Sequence, residues 1–172
     1  MFNVNIPILL LRLVVGLLFI GHGTQKLFGW FGGNGLITTG EFFEKIGFKP
    51  GKFWAAMAGL GEALGGLGLA AGFLTPIAAA MLISVMLMAI FKVHWPRIWN
   101  SDRGIEYPLV NLIVALVIAL SGPGAFSVDR VLSISYPMPA TFLWALGLGI
   151  IGLLIALVSP TLFGGSQKMQ EA

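Results

Sequence analysis

Cysteine is absent from the 172 residues of this chain. The protein therefore cannot form a disulfide, hold an iron–sulfur cluster on thiolates, attach a c-type haem or run a dithiol relay, and any redox role must draw on a diffusible carrier or on a partner's cofactor. Charge is scarce as well: Asp, Glu, Lys and Arg make up 10% of the chain against 57% hydrophobic residues, too little to coat a water-facing surface. The ten Lys and Arg lie mostly in a few loops and form no run, a pattern of membrane orientation rather than of nucleic-acid binding. With two histidines in all, a haem-b reading would have to use His22 and His94 as its axial pair, and no metal site is expected.

What the chain does have is apolar length. Mean hydropathy is +0.92, and hydropathic runs over residues 6–28, 53–73, 76–93, 107–121 and 140–158 each approach the roughly 20 residues that a bilayer-spanning helix needs. The pattern predicts an all-α, integral membrane, antiparallel helical bundle in a single domain covering 1–172, with four core transmembrane helices and a fifth at the C-terminus. The first run is read as a retained helix rather than a signal peptide. No Lys or Arg precedes its apolar stretch, and the polar, glycine-rich residues after His22 lack a small-x-small cleavage site.

Between the first two spans lies the longest loop, Gly29 to Lys52. Its Thr38-Thr39-Gly40-Glu41 has capping-box spacing ahead of Phe42, Phe43 and Ile46, which predicts a short interfacial helix starting there. Leu74-Thr75-Pro76 leaves almost no loop between the second and third spans, so these form a tight hairpin. Gly61-x-x-x-Gly65 and Gly68-x-x-x-Gly72, with Gly59 and Gly66 beside them, give the second span small faces for close helix packing.

If the spans alternate, Lys26, Lys45, Lys49, Lys52, Lys92, Arg97, Arg103 and Lys168 fall at one end of the bundle and Arg130 alone at the other. The positive-inside rule then puts the basic end in the cytoplasm, with the N-terminus outside and the C-terminus inside a cell inner membrane.

Polar groups inside apolar spans are costly without partners and mark working sites. Glu62 lies mid-span among glycines, and a rise of 1.5 Å per residue sets it at a depth comparable with His22, with Gln25 and Lys26 nearer the basic end. Glu106, Tyr107 and Asn111 arrive at that end on the fourth span, and Trp95 closes the third. At the opposite end Arg12 approaches the loop Gly122 to Asp129, and an Arg12–Asp129 ion pair of structural rather than catalytic purpose is expected.

Arg12-x-x-x-Gly16-x-x-Phe19-x-x-His22-Gly23-x-x-Lys26-Leu27-Phe28-Gly29, Glu62 in a glycine-rich second helix before Leu74-Thr75-Pro76, and Gly122-Pro123-Gly124 leading to Ser127-x-Asp129 resemble the DoxX family of small bacterial and archaeal membrane proteins. The resemblance runs over about residues 8–130, and the stretch 140–158 is an addition to the usual four helices. The family is similar to the membrane subunit of thiosulfate:quinone oxidoreductase, which implies quinone-linked redox work. On that reading His22, Lys26 and Glu62 are the catalytic candidates: His22 and Lys26 donate to carbonyl oxygens and Glu62 shuttles protons. Gln25, Trp30, Trp95, Glu106, Tyr107 and Asn111 are the substrate-binding candidates, with an opening from the bilayer past Gly59 and Gly66. Quinone would be a diffusible carrier, with no covalently bound cofactor. Candidate partners are the lipid bilayer, a soluble redox subunit and further copies of the chain, with no nucleic acid. The alternatives are a non-catalytic scaffold that docks a soluble partner through the Gly29 to Lys52 loop and a small-molecule transporter; the sequence leaves open whether the chain is itself an enzyme.

Overall fold

The computed structural model describes residues 4–163, so Lys168, grouped by sequence with the basic end, lies outside the described residues. Among these the chain is helical throughout, with no strand. Helix α1 (Asn5–Phe28) leads through a short turn at Trp30–Gly32 into α2 (Gly35–Lys45), followed by α3 (Gly51–Ala71), α4 (Thr75–Ala89), α5 (Glu106–Ser121), the one-turn α6 (Val128–Val131) and α7 (Ala140–Phe163). Four stretches, Asn5–Phe28, Gly51–Ala71, Thr75–His94 and Ala140–Thr161, are long and apolar enough to cross a bilayer. The shorter α5, with its sixteen residues, rises about 24 Å. A helix occupies each of the five hydropathic runs, its ends within about five residues of them.

The α1–α3 contact is the closest in the bundle, and paired glycines set it. A Cβ on Gly16 would lie 2.6 Å from the Gly66 carbonyl oxygen, and one on Gly23 would lie 2.5 Å from that of Gly59. Both pairs are spaced seven residues apart on antiparallel helices, so the backbones come close at two levels, with the small Ala63 and Ala70 side chains beside the glycines. Gly61, Gly65 and Gly68 instead face α4, opposite Val85, Leu82 and Ala78. Gly59 and Gly66 are thus sealed in the α1–α3 contact and line no opening to the bilayer, contrary to the expectation from sequence.

Phe19, Leu69, Leu82, Ile83, Ala115 and Ile118 form the main core, drawn from α1, α3, α4 and α5, with Phe142 of α7 joining it. A smaller cluster, Phe43, Phe48, Ala55, Ala58 and Ala156, seats α2 on the start of α3 and the end of α7. Helix α2 begins at Gly35, a turn before the expected capping box; Asn34 precedes it without a side-chain cap, and Thr38 and Thr39 lie inside the helix. The left-handed Gly29 and Gly35 turn the chain sharply enough to start the helix early.

At the end of the bundle that carries Arg130, the α3–α4 hairpin is held by two buried charges, Arg12 and Asp129. Arg12, 1% exposed, donates from Nε to the Leu69 carbonyl (2.9 Å) and from Nη2 to that of Ala70 (3.0 Å). Its Nη1 reaches the carbonyls of Pro123 and Phe126 in the following loop. Asp129 accepts from the backbone N–H groups of Leu74 (2.9 Å) and Thr75 (3.0 Å), the Thr75 hydroxyl (2.7 Å) and the Tyr136 hydroxyl (2.8 Å). The expected Arg12–Asp129 bridge is not formed. The physical reason is that each charge finds a better partner in a helix end: the cation takes carbonyls closing α3, that of Leu69 shared with the Gly72 N–H, and the anion takes the N–H groups opening α4.

Candidate functional site

At the opposite, basic end, α1, α2, α4 and α5 surround a cavity of about 500 Å³ closed on one side by Glu62 of α3. Its floor is the ion pair between Lys26 Nζ and Glu62 Oε2, 2.5 Å apart, with the lysine side chain 26% exposed and the glutamate 4%. Three turns of apolar, glycine-rich helix would leave a carboxylate at Glu62 uncompensated, and the lysine a turn from the end of α1 is long enough to reach it. Because Gly23 and Gly59 bring the two backbones together just above, the pair is short and direct.

A second polar group lines the wall. Gln25 donates from Nε2 to the Phe31 carbonyl (3.2 Å), which turns its Oε1 toward His22 Nδ1 (3.1 Å). The His22 Nδ1–H therefore donates to Gln25, and Nε2 accepts from the Tyr107 hydroxyl at 3.0 Å. A hydrogen-bonded chain thus runs from Tyr107 on α5 through His22 and Gln25 on α1 to the Gly-rich turn. With both ring nitrogens of His22 engaged, axial ligation of a haem by His22 and His94 would require breaking this chain.

The remaining wall is mostly apolar, with Phe19, Phe42, Phe43, Met86 and Met88, and Asn34 and Thr39 are its further polar side chains beside His94. Where α4 ends, the hydrogen bonding widens, with Trp95 N–H bonding the Ile90 carbonyl (2.8 Å) five residues back. Such π-type turns re-aim side chains, and here Val93 and His94 reach the cavity, His94 Nδ1 lying 2.6 Å from the Arg103 carbonyl.

Of the residues singled out from sequence, His22, Gln25, Lys26, Glu62 and Tyr107 converge on this cavity. Trp30 (57% exposed) and Trp95 (61%) stand outside it. They suit the interfacial belt, where an indole sits between headgroups and hydrocarbon. Glu106 accepts from the Asn100 backbone N–H (2.8 Å), tying the loop before α5, and Asn111 is buried with its amide on the Tyr107 carbonyl (3.0 Å). Sequence reasoning missed the contribution of α2, whose Thr39 and Phe43 close the cavity, and of Met86 and Met88 on α4. The four-residue spacing of Thr39 and Phe43 puts them on one helix face, which was the available signal.

An α-helical membrane bundle with a polar pocket near one surface is the class that fold and site define. The DoxX family pattern matches residues 8–95. Inner membrane protein YqjF of Escherichia coli (strain K12) is 31% identical over 134 residues, covering 75% of this chain and 94% of that protein. Uncharacterized membrane protein Rv3486 of Mycobacterium tuberculosis (strain ATCC 25618 / H37Rv) is 30% identical over 137 residues, covering 73% and 81%. The chain belongs to the DoxX family of membrane proteins. No solved structure matches it significantly.

Proposed function

We propose that the chain is the membrane subunit of a redox assembly and binds a quinone-class carrier in the cavity at its basic end. The observation that carries this reading is one cavity with two separate hydrogen-bonded sets of polar groups, Lys26–Glu62 and Tyr107–His22–Gln25, and a remainder that is largely apolar. A volume of about 500 Å³ falls within the roughly 300–1,000 Å³ typical of small-molecule sites. A ring with two carbonyl oxygens and an apolar body has the same distribution of chemistry.

The Lys26 ammonium, oriented by Glu62, donates to one carbonyl oxygen, and the Tyr107 hydroxyl, turned from His22, donates to the other. Two-electron reduction of the carrier takes up two protons. Lys26 gives one and is reprotonated through Glu62, and Tyr107 gives the other and regains its proton from solvent at the basic end. Without cysteine no thiolate of this chain can supply the electrons, so a soluble redox subunit delivers them at the basic end. That end faces the cytoplasm by the positive-inside rule; single cysteines at Arg97 and Arg130 should be labelled by an impermeant maleimide from opposite sides of the membrane, Arg130 from outside.

The test is calorimetric titration of the detergent-purified protein with a tail-less benzoquinone. Saturable binding is expected, with Lys26→Met weakening it about tenfold, or 1.4 kcal/mol. Wild-type protein that takes up none at millimolar concentration would overturn the reading and favour a docking scaffold.

A further inference from the structure

A second and larger cavity, about 730 Å³, lies between α3, α4 and α7. Its lining is almost wholly apolar, including Trp54, Met57, Met81 and Leu148. The hydroxyl of Ser84 in its wall is already bonded to the Ala80 carbonyl (2.8 Å), so the cavity offers little to a polar ligand. Glycines on α7 create the space. Gly149 lets that helix close against Ser84 on α4, whereas a Cβ on Gly152 would touch nothing within 4 Å. From Met88 to Ile77, both lining residues on α4, the cavity extends about 16 Å along the helix.

The two cavities share a wall. Val85 and Met88 line both. Across from Val85 stands Gly61, whose absent Cβ would lie 3.1 Å from Val85 Cγ2, and Gly61 immediately precedes Glu62 of the polar site. The partition between polar pocket and apolar groove is thus a valine side chain, a glycine and an unbranched methionine, the side chain most able to re-pack around a passing chain.

We infer that the groove between α3, α4 and α7 receives the hydrocarbon tail of the same carrier whose ring lies in the polar cavity, the tail passing Val85 and Met88. This rests on the functional reading above and narrows the ligand to a lipid-soluble, long-tailed quinone. A free bilayer lipid would have no reason to be coupled to the polar pocket, whereas a tail displacing the Val85 and Met88 side chains that the two cavities share would be.

The test uses a benzoquinone bearing a decyl tail with a terminal diazirine, irradiated with the protein in nanodiscs and mapped by peptide mass spectrometry, while binding of tail-less benzoquinone is measured in parallel. Label should fall on α7 between Trp144 and Leu153 and on Met81, and excess tail-less benzoquinone should remove most of it. Gly152→Phe, which fills the groove from an open position, should lower the α7 label relative to the tail-less affinity measured on the same variant. Label on α7 that the tail-less compound does not displace would mean that a bilayer lipid occupies the groove and would overturn the inference. Label confined to the outer faces of α1 or α5, or full α7 label in Gly152→Phe, would overturn it too, with the ring site left standing. Failure of the tail-less compound to bind wild-type protein would instead remove the functional reading and the inference with it.

Discussion

Arg12 and Asp129 hold consecutive segments of one hairpin without a hydrogen bond to each other. The guanidinium collects carbonyls from the last turn of α3 and the carboxylate collects N–H groups from the first turn of α4. Gly72, in the left-handed conformation between them, cannot carry a side chain, because its Cβ would strike the Arg12 guanidinium and stand 2.6 Å from Ser127 Cβ. Opposite charges here are matched to opposite helix ends, each sign where the peptide dipoles favour it.

Because no hydrogen bond joins the two side chains and only their charges attract, their losses should nearly add. Arg12→Lys keeps the charge but cannot fork across four carbonyls, and should cost about 2 kcal/mol in mixed-micelle denaturation. Asp129→Asn presents an NH2 group where an N–H or O–H donates, and should cost about 1–3 kcal/mol. In the double variant the sum should hold within about 1 kcal/mol; coupling as large as either single loss would indicate a direct ion pair.

Tyr136 gives this corner a pH signature. Burial, then the hydrogen bond to Asp129 and its negative charge, push the Tyr136 phenol from 10.0 up to about 12. Its neutral form is favoured on folding, so the contribution is complete below pH 10 and is lost as pH rises toward 12. Burial alone would raise the Asp129 carboxyl, but donors from Thr75, Tyr136 and Leu74 outweigh it and hold the group below its ordinary 3.8. That contribution is present above the ordinary value and fades as pH falls through the lowered one. Tyr136→Phe should flatten the alkaline limb of a thermal-stability profile and move the acid limb to higher pH. An alkaline limb identical to wild type would show that Tyr136 does not bond to Asp129.

Two neighbouring glycines of α1 should behave oppositely. A Cβ at Gly23 would sit 2.5 Å from the Gly59 carbonyl and 2.6 Å from the Ala63 nitrogen, both backbone atoms that cannot give way. Gly23→Ala should therefore cost about 1–3 kcal/mol and separate α1 from α3. With nothing within 4 Å of a Cβ at Gly21, Gly21→Ala should be neutral or stabilise by up to about 1 kcal/mol. Equal effects in a denaturation assay would contradict the packing described.

The number and ends of the long helices were legible because the bilayer imposes one length and one polarity on every span, so hydropathy alone sets them within about five residues. The convergence of His22, Gln25, Lys26 and Glu62 was legible for a related reason: intramembrane polar groups must find one another, and helical rise gives their depth. Depth carries no azimuth, however. Gly59 and Gly66 were placed at the right level but on the wrong face, and Trp95 reached the right end yet points outward. The Arg12–Asp129 pairing was misjudged because charge counting sees two side chains and overlooks the helix ends, whose free carbonyl and N–H groups have no letter in the sequence. Thr39 and Phe43 of α2 went unnoticed because an interfacial helix leaves no span-length signal.

The central claim, that Lys26 and Tyr107 hold two carbonyl oxygens in one cavity, is tested most directly by infrared difference spectroscopy of carbonyl-labelled benzoquinone bound to the protein. Two distinct carbonyl bands, both shifted to lower frequency than in detergent alone, are predicted. Lys26→Met should return one band to its detergent position and Tyr107→Phe the other. A single unshifted band in wild-type protein, or shifts that neither substitution alters, would contradict the account.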